Sequence, residues 1–139
     1  MSGAAANVVL VVEDESLIRM LLAEAFEDAG FVVVEADGAD EAISIFASRQ
    51  DIEIVVTDVR MPGTMDGLGL AGWMCEHAHS VPIIITSGFG TPPDAAASPC
   101  IVHIVTKPYK PSDVVDLVNE LCASSNEEAR PSSAEKRRV

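Results

Sequence analysis

Val8-Val9-Leu10-Val11-Val12 is an unbroken apolar stretch that runs directly into the acidic pair Glu13-Asp14. Three further apolar runs end in a short polar cluster in the same way: residues 54–57 before Asp58, residues 83–85 before Thr86-Ser87, and Ile101–Thr106 before Lys107-Pro108. Short runs this rich in β-branched residues are typical of strands that are buried on both faces of a parallel sheet. The sequence therefore predicts an α/β fold in which a polar cluster follows the carboxyl end of each such strand.

Helical signals alternate with the predicted strands. Ser16 is a candidate cap for a first helix with apolar residues at 3.6-residue spacing, Gly30 can close that helix, and Ser112 can cap the last one. The remaining predicted elements are strands at 31–34, 52–57 and 82–86 and helices at Ala39–Ser48 and 68–77. Prolines bracket an alanine-rich segment at 91–99, so the fourth helix is expected to be short or irregular. Five βα units of this kind predict a right-handed, doubly wound, five-stranded parallel sheet.

Length and composition indicate one domain. The 139 residues are 48% hydrophobic, which is enough for one well-buried core. We predict a domain at 7–122 and a disordered polar tail at 123–139. The net charge of −13 and the pI near 4.4 argue against binding nucleic acid or an anionic membrane through a broad basic surface. No positively charged N-terminal segment and no membrane-spanning apolar run is present in the sequence, so we expect a cytoplasmic protein.

The three cysteines, Cys75, Cys100 and Cys122, are odd in number and show no close metal-type spacing. This pattern fits a reducing compartment. It predicts that the cysteines are small structural residues of the core rather than a disulfide framework.

The polar clusters predict a phosphoryl site. In open α/β sheets, ligands bind beyond the carboxyl ends of the strands, so the clusters should meet at one edge. Asp58 is the candidate nucleophile, because a carboxylate can accept a phosphoryl group as an aspartyl phosphate. Glu13 and Asp14 would repel Asp58 unless a hard cation such as Mg²⁺ lay among the three acids. Lys107 offers a cation for the phosphoryl oxygens, and Thr86 offers a hydroxyl donor.

These motifs, in this order and with Met61-Pro62 after Asp58, resemble the receiver domain of two-component response regulators. The resemblance covers about residues 7–122. It implies a flavodoxin-like fold of the chemotaxis-regulator type, with strand order 2-1-3-4-5. It also implies a cis peptide bond before Pro108.

The resemblance further implies a role for each matched residue. Asp58 is the expected phosphoacceptor, Thr86 the switch hydroxyl and Lys107 the cation that pairs with the phosphoryl group. Four groups are expected to hold Mg²⁺: Asp14 and Asp58 directly, Glu13 mainly through a metal-bound water, and the main-chain carbonyl of Arg60. The expected donor is a sensor histidine kinase or a histidine phosphotransfer protein. The expected output is a phosphorylation-dependent contact with a downstream protein, without nucleic acid, membrane or an enzymatic product.

Three features depart from the family pattern, one of them the proline-bracketed fourth helix described above. Ile104 stands three residues before Lys107, where a ring that swings inward on activation is common, and the loop from Met61 to Gly67 is one residue longer than usual. A module that binds its partner without phosphorylation therefore stays open as an alternative. A haloacid-dehalogenase-type phosphatase is disfavoured, because it needs a second acid where this chain has Arg60. Gly67-Leu-Gly-Leu-Ala-Gly72 satisfies a dinucleotide-binding pattern, but a helix-start role fits its context better.

Overall fold

Five parallel strands and four helices alternate along the described chain. The computed structural model describes residues 7–61, 63, 65–77, 81–88 and 99–128, with side chains as far as residue 122. The strands are β1 Val8–Val12, β2 Val32–Ala36, β3 Ile54–Asp58, β4 Ile83–Ser87 and β5 Ile101–Thr106. Their order is β2-β1-β3-β4-β5, which confirms the predicted topology. The helices are α1 Ser16–Asp28, α2 Ala39–Ser48, α3 Gly67–His77 and α4 Pro111–Glu128.

Apolar residues fill the space on both faces of the sheet. Along β1, Val8, Leu10 and Val12 point into a core that also holds residues of α2 and α3. Val9 and Val11 point to the opposite face, where they pack with residues of α1 and α4. Because successive side chains of a strand alternate between faces, a continuous apolar run is what a strand covered on both sides requires. Every residue of β1, β3 and β4 is buried.

The predicted cap of α1 is wrong by one residue. The helix begins at Ser16, and the cap position belongs to Glu15, whose side chain makes no capping hydrogen bond. The main-chain N–H of Glu15 donates instead to the Glu13 carboxylate at 3.1 Å, so the chain turns into the helix one residue earlier. Gly30 closes the helix as predicted, with a φ of +98° that favours glycine.

The last helix begins at Pro111 rather than after a Ser112 cap. Proline is favoured at the first helical position, because its fixed φ suits the helix and its missing N–H is not needed there. The helix runs to Glu128, into the segment 123–139 that we predicted as a disordered tail. The helix can continue there because no glycine or proline precedes Pro131 in this part of the sequence. The rest of the predicted tail lies outside the described residues, and its disorder stays a prediction. The predicted irregular fourth helix at 91–99 falls almost wholly outside the described residues.

Cys75 and Cys100 form a disulfide with a Cα–Cα distance of 5.6 Å, which corrects the prediction of unpaired core cysteines. The two residues are 25 positions apart in the chain and meet because α3 ends beside the start of β5. Sequence spacing alone does not report that proximity. Cys122 is a free cysteine and is partly buried. Among the described helices, none combines the length and apolar character that a membrane span requires.

Gly67 lets α3 start directly under the end of β3. Its N–H donates to the Val59 carbonyl at 2.8 Å. A Cβ at this position would lie 2.9 Å from both the Asp58 carbonyl carbon and the Val59 Cα, and it would collide with the Asp58 carbonyl oxygen. The close approach explains the first glycine of the Gly67–Gly72 pattern through helix packing, as the sequence context indicated.

We predict that Gly67→Ala lowers the free energy of unfolding by about 1–3 kcal/mol, because the main chain of Asp58 and Val59 must shift to admit the methyl group. The matched control is Gly72→Ala in the same helix, where a Cβ meets nothing within 4 Å. That change should stabilise the protein by about 0.5–1 kcal/mol through helix propensity. Urea unfolding measures both. Equal effects of the two substitutions would contradict the close approach.

Candidate phosphoryl and metal site

The register of the sheet brings the predicted acids together. Val12 of β1 pairs with Thr57 of β3, so Glu13 and Asp58 follow at the same level. In the next pair, Asp58 lies opposite Thr86 of β4. One carboxylate oxygen from each of Glu13, Asp14 and Asp58 lies within 4.8 Å of the others. Glu13 and Asp58 are buried, whereas Asp14 is exposed.

Lys107 places its ammonium group against this acidic cluster. Its Nζ lies 3.2 Å from Oδ2 of Asp58 and 4.0 Å from Oε1 of Glu13. The main-chain N–H of Lys107 donates to the Ser87 carbonyl at 2.7 Å, which fixes the end of β5 beside β4. The Lys107-Pro108 peptide bond is cis, as the family resemblance implied. The predicted site residues therefore meet at one edge of the sheet: Glu13, Asp14, Asp58, Thr86 and Lys107.

Glu13 is held by its main chain and by one of its two carboxylate oxygens. Its N–H donates to the Ala36 carbonyl at 3.0 Å, and its own carbonyl accepts a 2.6 Å bond from the Arg19 guanidinium. Oε2 accepts from the Glu15 N–H, but Oε1 is buried without a hydrogen-bond donor among the described residues. Burial raises the pKa of Glu13 from 4.5 to about 7, with Asp58 and Asp14 adding to the rise while the Glu15 N–H and Lys107 oppose it.

This donor set fits a hard divalent cation. Three carboxylates in mutual reach, one of them with an unsatisfied buried oxygen, match the all-oxygen coordination that Mg²⁺ prefers. An open cavity beside the acids is lined by Asp14, Val59, Arg60, Met61 and Asp66. Arg60 thus borders the same space as Asp14, and its carbonyl remains our proposed further ligand. Asp66 also caps α3 by accepting a 2.9 Å bond from the Gly69 N–H.

Sequence reasoning missed two residues of this site. Arg19 lies on α1 and joins the Glu13 carbonyl to the Glu35 carboxylate, which it contacts at 3.1 Å. Tyr109 lies two residues after Lys107, and its buried hydroxyl lies near enough to Glu13 and Asp58 for their charges to affect it. An arginine on a helix and a tyrosine in a loop carry no sequence signal for such contacts. Ile104 takes the position where a ring is common in the family, and it packs against the core cluster that also holds residues of α2 and α3.

Comparison with known proteins identifies the family. The family model of the response regulator receiver domain matches residues 9–119. The chain belongs to this family. Receiver domains are signalling modules of two-component systems rather than a family of enzymes; they bind Mg²⁺ at an acidic pocket and interact with histidine kinases.

Two relatives and one solved structure illustrate the likeness. The DNA-binding transcriptional regulator NtrC of Salmonella typhimurium is 30% identical over 132 residues, which are 93% of this chain and 28% of that protein. An uncharacterised 14.6 kDa protein of Leptolyngbya boryana is 34% identical over 118 residues, 82% of this chain and 88% of that protein. The Thermotoga maritima response regulator TrrA, solved with Mg²⁺ and BeF, is 28% identical with a TM-score of 0.74, over 83% of this chain and 98% of that one.

This receiver domain thus spans about a quarter of the length of NtrC, with 28% of that protein covered. DNA binding is stated for NtrC as a whole and belongs to that protein. The prediction that this chain does not bind nucleic acid therefore stays a prediction.

We predict that ionisation of Glu13 destabilises the metal-free receiver domain. Its folded pKa of about 7 lies above the ordinary 4.5. The folded state therefore holds the proton more tightly than the unfolded state, and the free energy of unfolding falls as the pH rises from about 4.5 to about 7. At about 1.36 kcal/mol per pKa unit, the loss is on the order of 1–3 kcal/mol.

Thermal unfolding in EDTA between about pH 5 and about pH 8 measures this loss. Glu13→Gln should remove most of it, whereas Glu24→Gln on the exposed side of α1 should behave as the wild type. Magnesium should also flatten the wild-type profile, because it favours the ionised carboxylate. A Glu13→Gln variant that keeps the full pH dependence would show that another group causes it.

Proposed function

We propose that this protein is a phosphoacceptor receiver that is phosphorylated on Asp58 by a histidine kinase or a histidine phosphotransfer protein. Phosphorylation requires Mg²⁺ and changes contacts with a downstream protein. The observation that carries the proposal is the position of the Asp58 carboxylate. It lies 3.2 Å from a lysine ammonium and within 4.8 Å of two further carboxylates, on the edge of the sheet where ligands of such folds bind.

The chemistry is a transfer between a nitrogen and an oxygen. A carboxylate oxygen of Asp58 forms the new O–P bond while the N–P bond of the donor phosphohistidine breaks, and the bonding electron pair leaves with the imidazole. Lys107 then holds a phosphoryl oxygen through a charge-assisted hydrogen bond, as it holds the carboxylate before transfer. Thr86, opposite Asp58 in the register, is the proposed hydroxyl donor to a second phosphoryl oxygen.

Asp14, Asp58 and the Arg60 carbonyl would hold the magnesium ion directly, with Glu13 acting mainly through a bound water. When bound, Mg²⁺ neutralises negative charge on the transferring phosphoryl group and on the acids around it. A metal-bound water would donate a hydrogen bond to the buried Oε1 of Glu13, which has no donor among the described residues. The three carboxylates, Lys107 and the bound Mg²⁺ together determine the net charge around the phosphoryl group.

We predict that acetyl phosphate with magnesium adds one phosphoryl group to the wild-type protein and none to Asp58→Asn, because the substitution removes the nucleophile. Intact-mass analysis measures the product. The control is Asp66→Asn, which removes a neighbouring carboxylate on the same cavity and should still be labelled. EDTA should prevent labelling of both the wild type and the control.

Two results would contradict the proposal. Normal labelling of Asp58→Asn would assign the phosphoryl group to another residue. Absence of labelling in the wild type, combined with equal partner affinity before and after treatment with the donor, would instead favour the module that binds its partner without phosphorylation.

A further inference from the structure

The hydroxyl of Tyr109 is a buried donor that has no described acceptor. Its oxygen is shielded from solvent and makes no hydrogen bond of ordinary geometry with any residue that the structure describes. A buried polar group left in this state costs about 1–3 kcal/mol, and such groups are uncommon in folded proteins. A hydrogen bond that forms in another state of the protein would remove this cost.

The surroundings of Tyr109 direct its hydroxyl toward the phosphoryl site. The residue follows the cis Lys107-Pro108 bond, and its ring packs against the apolar cluster between the sheet, α1 and α4. The ring also borders a cavity of about 460 Å³, which Lys107 lines as well. With the ring held by this packing, the hydroxyl lies beside Thr86 and within electrostatic reach of Glu13 and Asp58.

The phenol keeps its proton in this environment. Burial, together with the negative charges of Glu13 and Asp58, raises the pKa of Tyr109 to about 12, against a smaller opposing effect of a contact with Thr86 that falls outside ordinary hydrogen-bond geometry. Tyr109 is therefore a neutral donor at every physiological pH. Thr86 lies opposite Asp58, where a phosphoryl group would be bound. A donor beside Thr86 can therefore influence that group by donating a hydrogen bond to the Thr86 hydroxyl.

We propose that Tyr109 is a positioning residue for Thr86, whose hydroxyl accepts a hydrogen bond from Tyr109 while it donates its own to a phosphoryl oxygen on Asp58. The inference rests on the proposed phosphorylation of Asp58. A hydroxyl can donate one hydrogen bond and accept two, so Thr86 can serve both partners at once. Each bond in such a chain polarises the next one. The phosphorylated state thereby satisfies a donor that, in the unphosphorylated state, has no acceptor of ordinary geometry among the described residues.

This arrangement supplies a route for the signal in a chain that lacks a ring at position 104. Thr86 is at the end of β4, and Tyr109 is in the connection between β5 and α4. A new bond between them links the phosphoryl group to the segment that leads into α4. Phosphorylation then shifts the equilibrium between conformations of the connection between β5 and α4, whereas in other receivers an aromatic ring commonly moves at the position of Ile104.

Tyr109→Phe tests the proposal, because it removes the hydroxyl and keeps the ring. The probe is beryllofluoride with magnesium, whose fluorides stand in for phosphoryl oxygens. We expect Tyr109→Phe to weaken beryllofluoride binding by about two- to tenfold, the effect of one net hydrogen bond. Magnesium affinity and the melting temperature without ligand should be unchanged or slightly higher, since the variant loses only an unsatisfied group. A purely structural role would instead lower the melting temperature.

A double-mutant cycle with Thr86→Ala separates the relay from a direct effect. If Tyr109 acts through Thr86, Tyr109→Phe should have no further effect on beryllofluoride binding in the Thr86→Ala background. Additive losses would overturn the relay. Equal beryllofluoride affinity of the wild type and Tyr109→Phe would overturn the inference while leaving Asp58 as phosphoacceptor. A wild type that does not bind beryllofluoride would instead refute the proposed function on which the inference rests.

A measurement without any change at position 109 is also available, because Tyr109 is the only tyrosine in the chain. Protein labelled with ¹³C at the tyrosine Cζ gives a single resonance that needs no assignment. Beryllofluoride with magnesium should move this resonance toward the phenolate value in the wild type, as the hydroxyl begins to donate. The resonance should not move in Thr86→Ala. An unmoved wild-type resonance with beryllofluoride bound would refute the hydrogen bond.

Discussion

Electrostatic repulsion among Glu13, Asp14 and Asp58 is the constraint on which the functional site of this fold depends. Carboxylates that lie within 4.8 Å of one another, two of them buried, oppose their own ionisation. The sheet keeps them there because β1 and β3 are paired in a fixed parallel register. Lys107 relieves part of the repulsion at 3.2 Å from Asp58. Burial raises the pKa of Glu13, and the remaining charges of Asp58 and Asp14 add to the rise. The site therefore has an excess of negative charge before a cation or a phosphoryl group binds.

The apolar core is what allows the sheet to hold such a site. The central strands are buried on both faces, so their register is specified by packing along their whole length. A slip of one residue would move Val9 and Val11 to the wrong face and would also separate Glu13 from Asp58. Gly67 also helps to position Asp58, because the absence of a side chain lets α3 begin close to the Asp58 carbonyl. Stability and function are thus coupled through the same few main-chain positions.

The sequence predicted the parts of the structure that follow from strand patterning. Apolar runs ending in Glu13, Asp58, Thr86 and Lys107 were sufficient to predict a parallel sheet with these residues at one edge, because parallel strands end together. The strand order and the cis bond before Pro108 came from the family resemblance instead, and both are confirmed.

The errors and omissions concern contacts between distant segments or local competition for hydrogen bonds. Cys75 and Cys100 pair because α3 and β5 meet in space, and spacing in the chain does not encode that. Glu15 rather than Ser16 takes the cap position, because Glu13 captures its N–H. The direction of the Tyr109 side chain depends on packing against the sheet, α1 and α4, which a single sequence does not reveal.

A crystal structure of the protein with magnesium and beryllofluoride tests most directly whether the three acids and Lys107 form one phosphoryl site. We expect beryllium bound to a carboxylate oxygen of Asp58, one fluoride paired with the Lys107 ammonium, a second in reach of the Thr86 hydroxyl, and magnesium held by Asp14 and Asp58. A structure in which beryllofluoride lies elsewhere, or in which the three acids do not share one cation, would contradict this expectation.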